Sequence, residues 1–415
     1  MSPPSVLAVL PGFYPSTIIG VSKPLQRLHG QGSITLDLAL QALVSRAAIA
    51  RADVVVLCGE AHPRCRQILD WIREAGRPLV YEIDDNRLEI PPEIPGLDYA
   101  RHPAQRELVL ACIRQADVVR VYSPVLQEFL RPHNARTELV DGPLDWSLIP
   151  PGPIAREAGT VRIVYATSRQ QDSVSRMVVE PLQRALAASP RAELTLWGPS
   201  IGAFERHPQV RHRPFIRNYD RFFKRFAREG FDIGLAPLPD DLFHRCKSNN
   251  KFREYAASGV AGIYSDMPVY NTCVVHGRTG LLVGNDPESW FASLMLLIND
   301  APLRAALSAN ARDEVRRRYN ETVTGDAWLA TIHDLAARPQ RVPAGAASPA
   351  PAPDGPLAMI GRLVAHAMQL GKKAVPALRQ GDLGGMRRRT VDHAVNFAHL
   401  AAWGLRRRHR AARPA

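Results

Sequence analysis

The amino-acid sequence predicts an α/β protein made of two doubly wound halves. Short apolar runs alternate with segments that carry an apolar residue at every third or fourth position, through about the first 335 residues. Uninterrupted apolar runs are typical of strands that a parallel sheet buries on both faces. Their alternation with helices is typical of doubly wound sheets. With 415 residues and 46% hydrophobic residues, the chain is long enough for two domains with a large core.

The strands and helices are predicted in chain order. Strands are expected in the first half at SVLAVL, ADVVVLC, RPLVYEI, ADVVRVYS and TELV. Helices are expected among them at ITLDLALQALVSRAAIA, CRQILDWIREAG and AQRELVLACIRQA. The second half is expected to contain the strands VRIVYATS, AELTLWG, FDIGLAPL, VAGIYSD and GLLVG, and a helix in VVEPLQRALAASP. The Pro- and Gly-rich residues 147–160 separate the halves, so we predict domains at 1–150 and 158–335.

Most of the net positive charge lies beyond these two halves. The formal net charge is +13, and residues 341–415 hold thirteen Lys and Arg against three Asp, which leaves about +3 for the rest. Residues 338–356, rich in Pro and Ala, predict an extended flexible linker. Residues 357–375 and 386–410 predict basic amphipathic helices. Helices of this kind suit an anionic membrane surface, so we expect the tail at 357–415 to bring the protein to the cytoplasmic membrane face without spanning it.

Several classes of protein are disfavoured by the sequence. A nucleic-acid-binding tail is not expected, because Phe397 and Trp403 are its only large rings; a solvated or partner-docking tail stays an alternative. The five cysteines are scattered without a C-x-x-C spacing, which indicates reduced thiols in a cytoplasmic protein. The run VLAVL suits a buried strand better than a signal peptide. Without an H-E-x-x-H cluster, a G-x-S-x-G elbow or a Walker loop, hydrolase and kinase interpretations have no residues to support them.

The segment KSNNKFREYAASG, residues 247–259, is the candidate binding segment. It lies between two predicted strands and predicts a helix that runs to about Ser258. Candidate N-caps are Ser248, Asn249 and Asn250. A helix N-terminus attracts phosphate oxygens, and Lys247 and Lys251, four residues apart, are expected to share one helical face beside it. Glu254, one turn further on, can accept hydrogen bonds from both hydroxyls of a ribose; the alternative is a surface helix with an ordinary Lys–Glu pair.

A family resemblance strengthens the first interpretation. The run from DIGLAPLPDD to DEVRRRY, residues 232–319, resembles the C-terminal domain of GT-B glycosyltransferases. The enzymes that it is most similar to are retaining, family 4-like glycosyltransferases of bacterial surface-polysaccharide and O-antigen synthesis. PLVYEIDDNRLEIP and QADVVRVYSPVLQEFL resemble their N-terminal domains, and the whole resemblance covers residues 5–335.

The resemblance implies a GT-B fold, with two facing Rossmann-like domains and a central cleft. It implies a hexosyltransferase that moves a sugar from a nucleotide-diphosphate donor to a glycan or lipid-linked acceptor, with retention of configuration. The N-terminal domain would serve the acceptor and the C-terminal domain the nucleotide sugar. No bound metal and no cofactor besides the donor substrate are expected. The alternatives are a nucleotide-sugar epimerase of the same fold and a non-enzymatic binding protein that uses its basic tail.

Carried over residue by residue, the resemblance assigns Glu254 to the ribose and places Lys247, Ser248 and Lys251 near the diphosphate. It places the backbone from Ala257 to Gly259 near the nucleotide. Many members of the family have a second glutamate eight positions before the first. This chain has Cys246 there, which leaves open which group contacts the hydroxyls of the transferred sugar.

Three further segments contain candidate residues. In YEIDDNR, the resemblance places Asp84 and Asp85 at a strand end that faces the cleft, where they would orient the sugar or the acceptor; an Asx turn or a helix cap is the alternative. In YATSRQQDS, Ser168 and Arg169 lie in a loop that contacts the diphosphate in such enzymes, and Arg suits bidentate phosphate binding. An exposed loop arginine is the alternative there. In PGFYPSTIIGVSKPL, Gly20 belongs to a loop that closes over the donor in the family, or serves simple turn chemistry.

Overall fold

The structure is a computed structural model that describes residues 2–59, 61–94, 97–152, 156, 159–168 and 172–339. Arg169, the greater part of the predicted linker at 338–356 and the predicted tail at 357–415 lie outside the described residues.

The first half is a six-stranded parallel sheet in the order β2-β1-β3-β4-β5-β6. Its strands are β1 (Ser5–Leu10), β2 (Thr35–Leu40), β3 (Val54–Cys58), β4 (Leu79–Glu82), β5 (Val118–Val121) and β6 (Thr137–Leu139). Its helices are α1 (Pro15–Thr17), a π-helical turn (Ile18–Ser22), α2 (Lys23–Gly30), α3 (Arg46–Arg51), α4 (Cys65–Glu74), α5 (Asp98–Arg101), α6 (Pro103–Gln115) and α7 (Pro124–Leu130). A 3-10 turn (Trp146–Leu148) leads to the second half.

The second half is another six-stranded parallel sheet, in the order β12-β11-β10-β7-β8-β9. Its strands are β7 (Val161–Ala166), β8 (Ala192–Trp197), β9 (Val210–Arg213), β10 (Ile233–Ala236), β11 (Ala261–Ser265) and β12 (Leu281–Val283). The helices are α8 (Asp172–Ala188), a 3-10 turn (Gly202–Phe204), α9 (Tyr219–Phe226), α10 (Leu242–Arg245), α11 (Asn250–Ala257), α12 (Pro268–Asn271), α13 (Pro287–Asn299), α14 (Ala301–Arg318) and α15 (Glu321–Ala336). The two doubly wound sheets confirm the predicted fold class.

Two strands correct the predicted element order. The segment TLDLAL was predicted as the start of a helix, but it forms edge strand β2, which pairs with β1. Its leucines alternate with other residues, so that Leu36 and Leu40 are buried on one face, as in a strand with one face on the core. A helix begins only at Arg46, after the Ser45 side chain caps it. Strand β9, with the polar sequence VRHR, was not predicted because it lacks an apolar run.

Helix α15 packs on the first half although it follows the second half along the chain. By sequence it belongs to the predicted domain at 158–335, but Trp328, Ile332 and Leu335 are buried in a core cluster of the first half. The Trp328 indole N–H donates to the Gly20 carbonyl at 3.0 Å. The Arg120 guanidinium lies 4.0 Å from the centre of the Trp328 ring. The chain therefore returns to the first half after completing the second. Within the residues that the structure describes, no helix is both long and apolar enough to span a membrane.

We predict that Trp328→Ala strongly destabilises the first half. The substitution removes a fully buried ring, leaves the Gly20 carbonyl without its donor and uncovers the buried Arg120. A loss of about 3–5 kcal/mol in the free energy of unfolding is expected, measured by urea denaturation. Trp328→Phe keeps an aromatic ring but no donor, so its loss should be smaller. Wild-type stability of the alanine variant would contradict the packing of α15 on the first half.

Candidate active site

A cleft of about 380 Å³ opens between the two sheets. Its walls come from the carboxyl ends of parallel strands and from the segments that follow them, which is where such sheets bind ligands. The first half contributes Pro15, Ile19, Asp84 and Asp85. The second half contributes loop residues after β7 and β10, namely Thr167, Ser168, Pro237 and Leu238. It also contributes a set of aromatic residues, here called the aromatic wall: Trp197, Phe215, Tyr219, Phe222 and Phe243. The segment from α10 to α11 adds His244, Lys247, Ser248, Asn250, Lys251 and Glu254.

The first turn of α11 holds an ion pair inside the cleft. The Lys251 ammonium lies 2.8 Å from a Glu254 carboxylate oxygen, three residues on, and the Glu254 side chain is only 7% exposed. The Lys251 nitrogen also lies 5.7 Å from the centre of the Phe222 ring. Burial and the Glu254 carboxylate raise the pKa of the neighbouring Tyr219 well above its ordinary value. The structure thus brings Lys251 and Glu254 together, as their spacing indicates, beside the aromatic rings of Phe222 and Tyr219.

Lys247 reaches the same cleft by a different route from the one predicted. It precedes the first residue of α11, Asn250, so it does not share a helical face with Lys251. Its ammonium lies 3.1 Å from an Asp85 carboxylate oxygen and 4.3 Å from the centre of the Phe243 ring. The helical prediction was wrong for Lys247 because the helix begins three residues later. Its pair with Asp85 joins the two halves across the cleft.

The predicted caps of α11 also differ in detail. The N-cap is Asn249, but its side chain makes no capping hydrogen bond. Instead its amide donates to the Tyr319 hydroxyl at 2.9 Å. The N-terminal turn of α11 therefore lies at the cleft without a side-chain cap from Asn249, and Ser248 lines the cleft beside it.

Asp84 and Asp85 lie directly after β4, at the carboxyl edge of the first sheet. Burial, with the charge of Asp85, raises the pKa of Asp84 above its ordinary value, while Arg87 and Lys247 oppose the shift. The Asp84 carboxylate lies 3.9 Å from the Arg87 guanidinium. Two carboxyl groups of the first half therefore face Lys247 of the second. Among the described residues, no three His, Cys, Asp or Glu side chains are grouped to hold a metal ion.

Two predicted site residues lie away from the cleft lining. Gly20 packs against the Tyr122 hydroxyl and the Glu82 carboxylate below the cleft, and burial followed by the charge of Asp84 raises the pKa of Glu82 to about 8. Gly259 follows the C-terminal end of α11, with φ +68°, and its carbonyl accepts a hydrogen bond from Arg156. Since α11 has eight residues, Gly259 is about 12 Å from the N-terminal turn. Ser168 lines the cleft, and Arg169 is outside the described residues.

Sequence reasoning missed His244 and the Asp241 that contacts it. Asp241 and His244 are three residues apart, a spacing that in a sequence indicates no more than a helix cap. Asp241 does cap α10, because its side chain accepts a hydrogen bond from the His244 backbone N–H. It also missed the aromatic wall, whose members come from segments far apart in the chain. Neither feature has a local signal that distinguishes it from core packing.

The comparisons with known proteins identify the fold as GT-B. No protein-family model and no curated protein matches the chain. Among solved structures, HepE of Anabaena in complex with UDP-glucose superposes with a TM-score of 0.59 at 13% identity, over 80% of this chain and 100% of HepE. Sucrose-phosphate synthase of Thermosynechococcus elongatus superposes with a TM-score of 0.62 at 14% identity, over 80% and 99% of the two chains. A putative UDP-N-acetylglucosamine 2-epimerase of Listeria monocytogenes gives a TM-score of 0.53 at 11% identity, over 80% and 96%.

We predict that Gly20 is required for packing. An alanine Cβ at this position would overlap the Tyr122 hydroxyl, so Gly20→Ala should lower the free energy of unfolding by about 1–3 kcal/mol. Tyr122→Phe removes that hydroxyl, and the double variant should recover part of the loss in urea denaturation. Gly202→Ala is the control, because a Cβ there meets nothing within 4 Å. A Gly20→Ala variant with wild-type stability and weaker nucleotide binding would instead support the role that the sequence predicted.

Proposed function

We propose that the protein is a glycosyltransferase that transfers a sugar from a nucleotide-diphosphate donor to a glycan or a lipid-linked acceptor. The observation that carries this proposal is the pair of half-buried Lys251 and buried Glu254 at the start of α11, inside the cleft between the two GT-B sheets. HepE, which shares the fold, was solved with UDP-glucose. Lys251 and Glu254 supply the charge and the hydrogen-bond acceptors that a diphosphate and a ribose require.

The cleft residues divide the proposed chemistry between them. Glu254 accepts hydrogen bonds from the ribose, while Lys247, Lys251 and the N–H groups of α11 stabilise the negative charge of the departing diphosphate. The bond between the sugar C1 and the diphosphate oxygen breaks, and the acceptor oxygen bonds to C1. The acceptor proton passes to a diphosphate oxygen, so the products are a glycoside and a nucleoside diphosphate. Arg169 and Ser168 are proposed to contact the same diphosphate, and Asp84 and Asp85 to orient the sugar or acceptor.

The finer features of the proposal rest on the sequence resemblance. They are a hexosyl donor, retention of configuration, independence of a metal ion and a role in cell-surface polysaccharide or O-antigen synthesis. Retention fits a front-face reaction in which the diphosphate takes the acceptor proton, since no side chain of the cleft is proposed as a nucleophile.

Purified protein should be incubated with a panel of nucleotide-diphosphate sugars, and the released nucleotide should be measured. At least one donor is expected to be hydrolysed slowly or transferred, and turnover should persist in EDTA. If none is turned over or bound, the proposed function is wrong. If EDTA abolishes turnover and magnesium or manganese restores it, only the metal-independent mechanism is wrong.

We predict that Glu254→Ala weakens binding of the donor found in this panel. Losing hydrogen bonds between a carboxylate and the ribose is expected to cost about 1.5–3 kcal/mol, or roughly 10- to 150-fold in Kd, measured by calorimetry. The matched control is Glu314→Ala, which removes a Glu–Arg pair of the same spacing from α14, outside the cleft. Circular dichroism should show both variants folded. Wild-type affinity in Glu254→Ala for every nucleotide sugar would exclude Glu254 from the site.

An epimerase is the second candidate function, since the Listeria neighbour is a putative UDP-N-acetylglucosamine 2-epimerase. An epimerase needs cleft carboxyl groups that move a proton on the sugar, and Asp84 and Asp85 are the candidates here. The two functions differ in their products. An epimerase returns an isomeric sugar nucleotide without any acceptor, which nuclear magnetic resonance detects, whereas a transferase releases the nucleoside diphosphate.

The tail gives a separate prediction under the proposed function. A lipid-linked acceptor lies in a membrane, and each Lys or Arg near an anionic surface contributes about 1 kcal/mol of attraction. Deleting residues 357–415 should therefore abolish co-sedimentation with anionic vesicles at low ionic strength, while donor hydrolysis persists. Neutral phosphatidylcholine vesicles are the control. Failure of the full-length protein to bind anionic vesicles at low salt would contradict a membrane role for the tail.

A further inference from the structure

Cys246, at the position where the resemblance implies a second glutamate, does not line the cleft. Its side chain is fully buried and packs in a core cluster otherwise formed by the first half. The Asn86 amide, in the first half, lies 3.6 Å from its sulfur. Cys246 is not among the residues that line the cleft. Under the proposed function, the hydroxyls of the transferred sugar therefore contact other side chains that line the cleft.

His244, two residues earlier, is placed to be that partner. It lines the cleft on α10 and is only 2% exposed. Its ring nitrogen Nδ1 lies 2.6 Å from a carboxylate oxygen of Asp241, while its Nε2 is buried without a hydrogen-bond partner among the described residues. The ring packs edge-on against Phe243, 5.3 Å between centres. A buried imidazole nitrogen without a partner is costly unless a ligand or water supplies one.

The protonation state of His244 decides whether Nε2 donates or accepts a hydrogen bond, and so which ligand groups it can bind. Burial lowers the pKa of His244 below its ordinary value; hydrogen bonding to Asp241 and the charges of Asp241 and Asp85 oppose this shift, and the charge of Lys247 adds to it. The ring is therefore neutral at pH 7. Because a carboxylate only accepts, Asp241 fixes the proton on Nδ1, and Nε2 carries a lone pair. A sugar hydroxyl can donate to that lone pair, whereas a phosphate oxygen, which itself only accepts, cannot.

We propose that His244, held by Asp241, accepts a hydrogen bond from a hydroxyl of the transferred sugar through Nε2. The ribose hydroxyls of the nucleotide could also donate to this nitrogen, but the proposed function assigns them to Glu254. This inference rests on the proposed function, because it takes the cleft to be the donor site. His244 would be a sugar-binding residue and Asp241 a positioning residue that keeps the ring in the required tautomer.

The test compares two ligands: the nucleotide sugar that the wild-type protein turns over, and the nucleoside diphosphate without its sugar. His244→Ala should weaken the nucleotide sugar about 5- to 15-fold and change the nucleoside diphosphate by less than about 2-fold. His244→Gln keeps a hydrogen-bond acceptor in the side chain, so its affinity for the nucleotide sugar should fall less than that of His244→Ala. Asp241→Asn still caps α10 but no longer holds the proton of the His244 ring on Nδ1. It should therefore weaken binding of the nucleotide sugar by less than His244→Ala does, and should leave binding of the nucleoside diphosphate unchanged. Arg245→Ala is the matched control, since Arg245 is exposed on the same helix and pairs with Asp240.

The outcomes separate this inference from the proposed function. If the wild-type protein binds no nucleotide sugar, the proposed function fails and the inference falls with it. If Glu254→Ala weakens both ligands while His244→Ala and His244→Gln bind both as the wild type does, only the inference is overturned. An equal loss for both ligands in the folded His244→Gln variant also overturns it, because His244 would then contact the nucleotide portion.

Discussion

Parallel strand pairing is the constraint on which the rest of the molecule depends. All the strand pairings in the described residues are parallel. Each strand must therefore be followed by a crossover, and all the carboxyl ends of a sheet lie at one edge. Asp84 follows β4, Ser168 follows β7 and Leu238 follows β10, and all three line the cleft. The functional side chains can vary on these loops while the buried strands hold the loops in place.

The candidate binding segment, from α10 to α11, is positioned by both halves. α10 and α11 belong to the second half, but Phe243 packs in a small cluster with Ile90, Ile94, Leu97 and Ala100 of the first half. Lys247 reaches Asp85, and Cys246 lies in the first core. At a second point, Lys23 of α2 pairs with Asp220 of α9 at 2.7 Å and also with Asp145, which lies between the halves. The geometry of the cleft therefore depends on how the two halves are held, and α15 adds a third connection between them.

The sequence predicted those features that depend on neighbouring residues along the chain. Most strands could be predicted because both of their faces are buried, so that nearly all of their residues are apolar. β2 was misread because alternating leucines merge with the apolar residues that follow, and β9 because it is polar. The Lys251–Glu254 pair depends only on helical spacing and was legible. The Lys247–Asp85 pair joins residues 162 positions apart, so only the folded chain defines it.

Gly20 is another residue whose role the local sequence pattern cannot identify. A glycine after the first strand suggests a loop that approaches a ligand, but a glycine is needed equally where a side chain would meet a neighbour. In the structure, that neighbour is Tyr122 beside Glu82, and the Gly20 carbonyl meets Trp328, which is more than 300 residues away. This tertiary packing is invisible in the local pattern, and the Gly20→Ala variant distinguishes it from a role beside the ligand. Ser168 carries no stronger local signal, yet it lines the cleft.

The two lysines of the cleft differ in what holds them, and this difference matters for the proposed chemistry. Lys251 pairs with Glu254 three residues away, so α11 alone holds both members of this pair. Lys247 pairs with Asp85 of the other half, so a phosphate near Lys247 competes with that carboxylate for the ammonium. Under the proposed function, a bound diphosphate therefore weakens the Lys247–Asp85 contact, one of those that join the halves.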